Sequence, residues 1–229
     1  MARKSPIRTR KAKSSVSRKK EIILGAMIAV AIAAALRIFL VFPVKVNDIG
    51  MSYALYSGDF VLCSSIPYRM EAPQAGDLIA FEHPFKVGQK VVRRVIATEG
   101  ETIEIAGKMV YVNGEPINEA PTVQHSDYRI LPSNFSNRDH FEAKQVPVGH
   151  LFVLGDNRDD ENCDDSRDFG FIDVHKIEGK AFFVYFSWAP DPNAPKMESP
   201  YIIPAVQIFI YNLFHFPSRV RWSRFFASS

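Results

Sequence analysis

An apolar segment near the N-terminus constrains this chain more than any other feature. Residues Ile22 to Leu36 include no charged side chain, and beyond Arg37 the apolar residues continue to Val44. A helix over this length would reach roughly 34 Å at about 1.5 Å per residue, enough to cross a hydrocarbon core of about 30 Å. We therefore predict a transmembrane anchor at residues 21–44, with the long side chain of Arg37 reaching the far interface.

A cleaved secretory signal and a buried core helix are the alternatives to an anchor. The run is longer than a usual signal core, and the sequence LRIFLVFPVKV follows it instead of a small-residue cleavage site. It also lacks the polar face of a soluble amphipathic helix. The first 20 residues carry nine basic side chains and no acidic one. The positive-inside rule therefore predicts a cytoplasmic tail at residues 1–20 and a main domain on the outer face of the cytoplasmic membrane.

Charge and cysteine content exclude several classes of ligand. Beyond the tail, 19 basic residues stand against 25 acidic ones, so the body is acidic and nucleic acid is not a predicted partner. The chain has two cysteines, Cys63 and Cys163, whose pairing the sequence leaves open. No Cys/His spacing indicates zinc, and the acidic cluster Asp156–Asp168 lacks the spacing and central glycine of an EF-hand loop. We predict no metal and no cofactor.

The region from residue 45 to 190 has the pattern of a β domain. Short apolar stretches alternate with turn residues, and Asn113-Gly114 is a strong hairpin signal. Residues 120–146 are polar and irregular, which predicts an excursion from the sheet. The predicted strands are Phe60–Cys63, Leu78–Phe81, Lys90–Ala97, Thr102–Ile105, Met109–Val112, Leu151–Leu154 and Lys180–Trp188.

Residues 191–229 form a predicted C-terminal extension with a second apolar segment, Tyr201–Phe216. Its 16 residues include Pro204, so it is short for a membrane span. We predict that it lies at the outer membrane interface, and burial against the domain is the alternative.

Four stretches of sequence, taken in order, resemble the type I signal peptidase family. They are IGMSYALYSGDFVL (49–62), AGDLIAFEHP (75–84), VVRRVIATEGETI (91–103) and LGDNRDDENCDDSRDFGFI (154–172). The closing VRWSR (220–224) is also similar to a family C-terminus. The resemblance implies a mostly β fold: a coiled antiparallel β domain behind one N-terminal transmembrane helix. It also implies the membrane as a partner, together with signal peptides, preproteins or an active signal peptidase paralogue.

The positions that carry catalysis in that family hold unsuitable residues here. The resemblance implies a serine nucleophile and a neutral lysine as general base. Counted back from Gly58-Asp59, the nucleophile position is Gly50, which has no side chain. The lysine position is Arg93, and arginine stays protonated in proteins. A serine that assists the oxyanion hole is replaced by Asp48, whose carboxylate would repel the developing charge. We therefore predict a pseudoprotease.

The alternative to a pseudoprotease is an active enzyme whose catalytic groups lie at other positions. Ser52 is the candidate nucleophile and Lys90 the candidate base, although an odd offset from Arg93 points Lys90 to the opposite strand face. A buried Arg93 requires a carboxylate partner, so we also predict an ion pair with Asp48 or Glu161. Glu161 aligns with a family serine that orients the lysine.

The remaining motif residues are predicted to support the fold through turns and ion pairs. These supporting residues are Met51, Gly58, Asp59, Arg94, Gly155, Asp156, Asn157, Arg158, Asp165, Ser166 and Arg167.

Three hypotheses about function follow from the sequence. The chain is a pseudoprotease that binds signal-peptide-like segments or a partner, an active signal peptidase with relocated catalytic groups, or a non-enzymatic envelope interaction protein.

Overall fold

The computed structural model describes residues 15–39, 41–160, 164–196 and 202–227. The chain divides into two compact units, Met1–Leu40 and Val41–Ser229. The helices are α1 (Ser15–Phe39), α2 (Pro67–Met70), α3 (Ser166–Phe169) and α4 (Ile202–Arg219), with short 3₁₀ helices at Val174–Lys176 and Trp222–Arg224. The strands are β1 (Phe42–Lys45), β2 (Asp59–Ser64), β3 (Leu78–Glu82), β4 (Lys90–Ala97), β5 (Thr102–Ala106), β6 (Met109–Val112), β7 (Glu115–Pro116), β8 (His140–Gln145), β9 (His150–Leu154), β10 (Ile172–Asp173) and β11 (Ile177–Ser187).

Within the residues that the structure describes, the N-terminal unit is helix α1. Its alanine, leucine and lysine residues favour a helix, and side chains 19–34 are exposed. Among the described residues, no helix combines the length and the apolar character needed to cross a membrane. The anchor at 21–44 therefore remains a prediction.

Helix α1 ends before the predicted C-terminal end of the anchor. Helix α1 ends at Phe39, and Phe42–Lys45 forms strand β1, paired antiparallel with β2. Pro43 disfavours a helix interior but is tolerated in an edge strand. Val44 is buried against β2, so tertiary pairing makes these residues part of the β domain.

The larger sheet has seven strands in the order β1-β2-β11-β3-β4-β9-β10. All its strand pairs are antiparallel. Strand β11, the last strand in the sequence, lies between β2 and β3. Strand β11 is irregular between Ala181 and Phe183, and again between Val184 and Phe186. Bulges of this kind bend and twist a strand, so they coil the sheet.

The smaller sheet has the order β7-β6-β5-β8. The predicted turn at Asn113-Gly114 joins β6 to β7, and Asn113 has a positive φ of 54°. Strand β8 corrects the prediction of an irregular segment over 120–146, because His140–Gln145 pairs with β5. Its side chains are exposed or half-buried, so it carries no apolar alternation that the sequence could reveal.

Three groups of apolar side chains form the core. One lies under the turn that follows β1 and includes Met51, Leu55 and Val61. A second joins the two sheets through Ile103 and Phe152. The third packs β3, β4 and β9 against the small helix α3. The first group fixes the backbone that carries Asp48 and Gly50, the residues at the candidate site.

The C-terminal extension contains a helix. Helix α4 runs from Ile202 to Arg219 and continues through Pro217, beyond the predicted end of the apolar segment at Phe216. Pro204 lies in its first turn, where the missing N–H is tolerated. After α4 the chain returns to the sheet, where Val220 forms a bridge with Trp188.

Candidate functional site

The candidate site begins where β1 leaves the sheet. Val46 still donates its N–H to the carbonyl of Asp59 at 2.8 Å, and the chain then turns through residues 48–55. The N–H of Leu55 bonds to the carbonyl of Met51 at 2.7 Å, and both side chains are fully buried. Packing of these two residues therefore holds the turn in place.

One carboxylate oxygen lies at the centre of the site. Oδ1 of Asp48 accepts the N–H of Gly50 at 2.9 Å and Nη1 of Arg93 at 3.3 Å. The Arg93 side chain is 1 % exposed and also donates to the carbonyl of Val92 at 2.7 Å. The predicted ion pair between Arg93 and Asp48 is confirmed, while Glu161 lies outside the described residues.

At these positions the geometry pairs opposite charges. Gly50 offers no side chain, and the protonated guanidinium of Arg93 cannot accept a proton. A backbone N–H at such a turn can stabilise an oxyanion, but here the carboxylate of Asp48 already accepts it.

The relocated candidates contact other groups. Nζ of Lys90 pairs with Glu178 and lies 5.4 Å from the centre of the Phe42 ring. Ser52 lies in the turn, where its N–H donates to the carbonyl of Ile49 at 3.0 Å. Lys90 is thus committed to a surface ion pair at the beginning of β4.

Asp59 connects the turn to the C-terminal segment. Its buried carboxylate accepts hydrogen bonds from Ser187 Oγ (2.6 Å), Arg224 Nη2 (2.7 Å), the Tyr56 N–H (2.9 Å) and Arg221 Nη2 (3.2 Å). Arg224 also donates to the carbonyl of Ala54 at 2.7 Å. The C-terminal segment therefore clamps the turn that carries Gly50.

Gly58 allows a close approach of two backbones. Its φ is +90°, and a Cβ added there would lie 1.9 Å from the carbonyl oxygen of Trp188. The N–H of Trp188 donates to the Gly58 carbonyl at 2.8 Å. A residue with a side chain would push β11 away from the turn.

Asp156 and Asn157 connect the fourth motif to the site. Asp156 is fully buried and accepts Arg94 Nε at 2.8 Å and Nη2 at 2.6 Å. Thr122 donates to the same carboxylate at 2.6 Å. The N–H of Asn157 donates to the Gly50 carbonyl at 2.9 Å, so the two motifs touch at the predicted nucleophile position.

The end of the fourth motif is a buried ion pair that caps helix α3. Arg167 donates Nε to Asp165 Oδ1 at 2.9 Å and Nη2 to Oδ2 at 2.7 Å. Burial alone would raise the pKa of Asp165, but the charge and hydrogen bonds of Arg167 lower it to about 2. Asp165 also accepts the N–H of Gly155 at 3.2 Å, and Ser166 Oγ accepts that of Val153 at 2.9 Å.

Arg158 occupies a second buried position. Its Nη1 lies 2.8 Å from Glu119 Oε1, and burial lowers the pKa of the guanidinium. These contacts are consistent with the supporting roles predicted for the fourth motif, because its side chains form hydrogen bonds to the backbone or ion pairs.

Metal ligands and reactive thiols do not gather in the described part of the chain. No group of three or more His, Cys, Asp or Glu residues there has the arrangement of a metal site. Cys63 is buried as a free thiol, and burial raises its pKa to about 12, which disfavours the reactive thiolate. Cys163 lies outside the described residues.

Comparison with known proteins gives the family of this fold and site. The family model described as signal peptidase, peptidase S26, matches residues 19–188. The chain belongs to the signal peptidase family.

Relatives within the signal peptidase family match most of the chain. A probable signal peptidase I-1 from Synechocystis is 33 % identical over 174 residues, covering 73 % of this chain and 82 % of that protein. Signal peptidase I from Aquifex aeolicus is 28 % identical over 253 residues, covering 88 % and 97 %. A crystal structure of a signal peptidase I from Enterococcus faecalis is 33 % identical, with a TM-score of 0.37, and covers 48 % of this chain and 97 % of that one.

Sequence reasoning missed several contributors to the site of this signal peptidase homologue. Ser187 and Thr122 bind the motif aspartates from outside the four motifs, and Glu119 pairs with Arg158. No spacing in the sequence indicates these partners. Arg221 and Arg224 had a signal, because their segment resembles a family C-terminus, but only the fold shows that both bind Asp59.

Proposed function

We propose that this chain is a signal peptidase homologue that binds signal-peptide-like segments without cleaving them. It works at the outer face of the cytoplasmic membrane, with an anchor that begins at residue 21 and ends before strand β1, and with residues 1–20 in the cytoplasm. The natural ligand is a signal peptide, an exported preprotein, or the equivalent segment of an active paralogue.

The observation that carries this proposal is the Asp48–Arg93 pair next to Gly50. A protonated guanidinium stands where the family resemblance requires a neutral amine, and no side chain stands where it requires a hydroxyl. The motif residues around the site nevertheless make supporting contacts, including the bond from the Asn157 N–H to the Gly50 carbonyl. An ordered scaffold without the dyad favours binding over catalysis.

The edge of the larger sheet supports peptide binding. Strand β1 is an edge strand and leads directly into the turn at Asp48. Because Val46 donates its N–H to the β2 side, the alternation of a strand directs the N–H of Lys45 outward. An extended peptide can pair with such an edge through backbone hydrogen bonds, as in other cases of strand addition.

The test is binding and cleavage of a fluorescent signal peptide by the full chain in detergent. We expect saturable binding by anisotropy and no cleavage product. The Lys45→Pro variant removes one outward N–H, and we expect it to weaken binding about three- to tenfold, the effect of losing one hydrogen bond. Lys45→Ala keeps the N–H and is the matched control, with binding near that of the natural chain.

Two outcomes would reject this proposal, and a third would reject β1 as its docking edge. Cleavage by the natural chain would favour an active enzyme, with Ser52 and Lys90 the first residues to substitute. Lack of saturable binding would favour a non-enzymatic envelope interaction protein. Equal binding by Lys45→Pro and the natural chain would exclude β1 as the docking edge.

A further inference from the structure

The turn that carries Gly50 leaves one aromatic side chain outside the packing. Its neighbours Met51, Ala54 and Leu55 are each at most 4 % exposed. Tyr53 lies between them in the sequence and is 48 % exposed. Among the described residues, its hydroxyl has no hydrogen-bond partner, and no aromatic ring or cation pairs with its ring. A half-exposed aromatic ring in an otherwise closed turn is therefore available to a ligand.

Tyr56, just after this turn, shows the contrast with a tyrosine that supports the fold. The guanidinium of Arg224 lies 4.7 Å from the centre of its ring, and that of Arg221 lies 5.6 Å away. Its backbone N–H donates to Asp59 at 2.9 Å. Tyr56 thus belongs to the contacts that clamp the turn, whereas the ring of Tyr53 has no such role.

The backbone of Tyr53 is held in a conformation that a bulky residue disfavours. Its φ is +79°, in the left-handed region that favours glycine. The backbone on both sides is fixed, because the N–H of Leu55 bonds to the Met51 carbonyl at 2.7 Å and that of Ser52 to the Ile49 carbonyl at 3.0 Å. Strain of this kind clusters at binding sites, where the surrounding structure holds a residue in one conformation.

We propose that Tyr53 contacts the bound segment and selects a large apolar side chain where that segment passes Gly50. This inference rests on the proposed function and names the class of ligand for the same site. Strand β1 leads directly into the turn, so a segment that pairs with β1 and continues beyond it reaches Gly50. Gly50 presents no side chain there, which leaves room for a large side chain of the ligand.

Ile49 adds a second apolar surface next to Gly50. It is 55 % exposed, although its backbone is held by the fourth motif. Nδ2 of Asn157 donates to the Ile49 carbonyl at 3.3 Å, and the Asn157 N–H donates to the Gly50 carbonyl at 2.9 Å. A phenylalanine or leucine of the ligand would remove apolar surface from water against Tyr53 and Ile49, whereas an alanine would remove little.

The test is a phenylalanine scan of a fluorescent signal peptide that binds the full chain in detergent. Each peptide carries phenylalanine at one position of its extended C-terminal segment and is compared with alanine at the same position. We expect phenylalanine at one position to tighten binding about three- to tenfold, the range for one added aromatic contact. Leucine at that position should give a smaller gain.

Variants of Tyr53 show whether its ring provides that gain. We expect the gain to disappear in Tyr53→Ala and Tyr53→Gly and to persist in Tyr53→Phe. Tyr128→Ala is the matched control, because Tyr128 is a 98 % exposed tyrosine outside the turn, and its removal should leave the gain intact. Urea unfolding separates the ring from the backbone. Tyr53→Gly should unfold at a higher urea concentration than Tyr53→Ala, because glycine adopts a positive φ without strain, although both bind alike.

The outcomes distinguish this inference from the proposed function. Lack of saturable binding by every peptide would reject the proposed function itself. Saturable binding that Lys45→Pro weakens, with the full phenylalanine gain kept in Tyr53→Ala, would reject only the role of Tyr53. Alanine that binds as tightly as phenylalanine at every position would show that the site selects no large apolar side chain. Equal loss of the gain in Tyr128→Ala would also overturn the inference, because the effect would not belong to the turn.

Discussion

Arg93 and Asp48 form an ion pair, with Nη1 and Oδ1 3.3 Å apart, at the two positions where the family resemblance implies a base and an oxyanion-hole hydroxyl. The same Oδ1 accepts the N–H of Gly50. Asp48 therefore contacts both Gly50 and Arg93, two other positions that depart from the family pattern. A charge introduced at Arg93 is balanced by the carboxylate introduced at Asp48, so the site is internally consistent without a dyad.

Restoring catalysis should require the removal of Asp48. In a Gly50→Ser/Arg93→Lys double variant, the carboxylate would stabilise the protonated form of the introduced lysine and raise its pKa. Adding Asp48→Ser removes that charge, and we expect preprotein cleavage about 10- to 100-fold faster than in the double variant, corresponding to one to two pKa units. The measurement is single-turnover cleavage in detergent, with the natural chain as the control. Equal rates in the double and triple variants would contradict this explanation.

The Asp48–Arg93 pair should also contribute to stability. Asp48→Asn leaves the guanidinium without this carboxylate, and we expect a loss of about 2 kcal/mol in the free energy of unfolding. The value is below that of a fully buried pair because Asp48 is 21 % exposed. A double-mutant cycle with Arg93→Met, followed by urea unfolding, should give a coupling energy of about 1–2 kcal/mol. Additive effects would mean that the two side chains act separately.

Acid should weaken the fold through Asp165. The pKa of Asp165 is lowered from 3.8 to about 2 in the folded protein, so the folded state binds this proton less readily than the unfolded chain. This contribution of about 2 kcal/mol is complete above pH 4 and is lost as the pH falls towards 2. Urea unfolding of the natural chain and Asp165→Asn should show a stability difference that shrinks over that interval. A constant difference between pH 5 and pH 2 would rule out this linkage.

Gly58 should tolerate substitution less well than Gly76. Both have a positive φ, +90° and +93°, but a Cβ at Gly76 meets no atom within 4 Å, whereas one at Gly58 meets the Trp188 carbonyl at 1.9 Å. Gly76→Ala should therefore cost only the backbone strain, about 1–2 kcal/mol. Gly58→Ala should cost at least about 2 kcal/mol more, because β11 must move. Similar melting temperatures for the two variants would show that the close approach is not needed.

The sequence determined the elements in which a local signal is strong. The spans of β4 and β6 agree with prediction to the residue, because apolar runs end at turn residues such as Asn113-Gly114. The candidate site followed from counting within the motifs, which gave Asp48 and Glu161 as the two possible partners of Arg93. The family followed from the order of the motifs.

Only the tertiary structure decided the contacts between segments that are distant in sequence. Strands β1 and β8 exist because β2 and β5 provide partners, and their own side chains lack a clear alternation. The binding of Arg221 and Arg224 to Asp59 joins residues more than 160 positions apart. A local pattern specifies the conformation and burial of a segment, because both depend on its own side chains. It does not specify which other part of the chain the segment packs against. That choice depends on the free-energy differences among all the contacts that the folded chain could form.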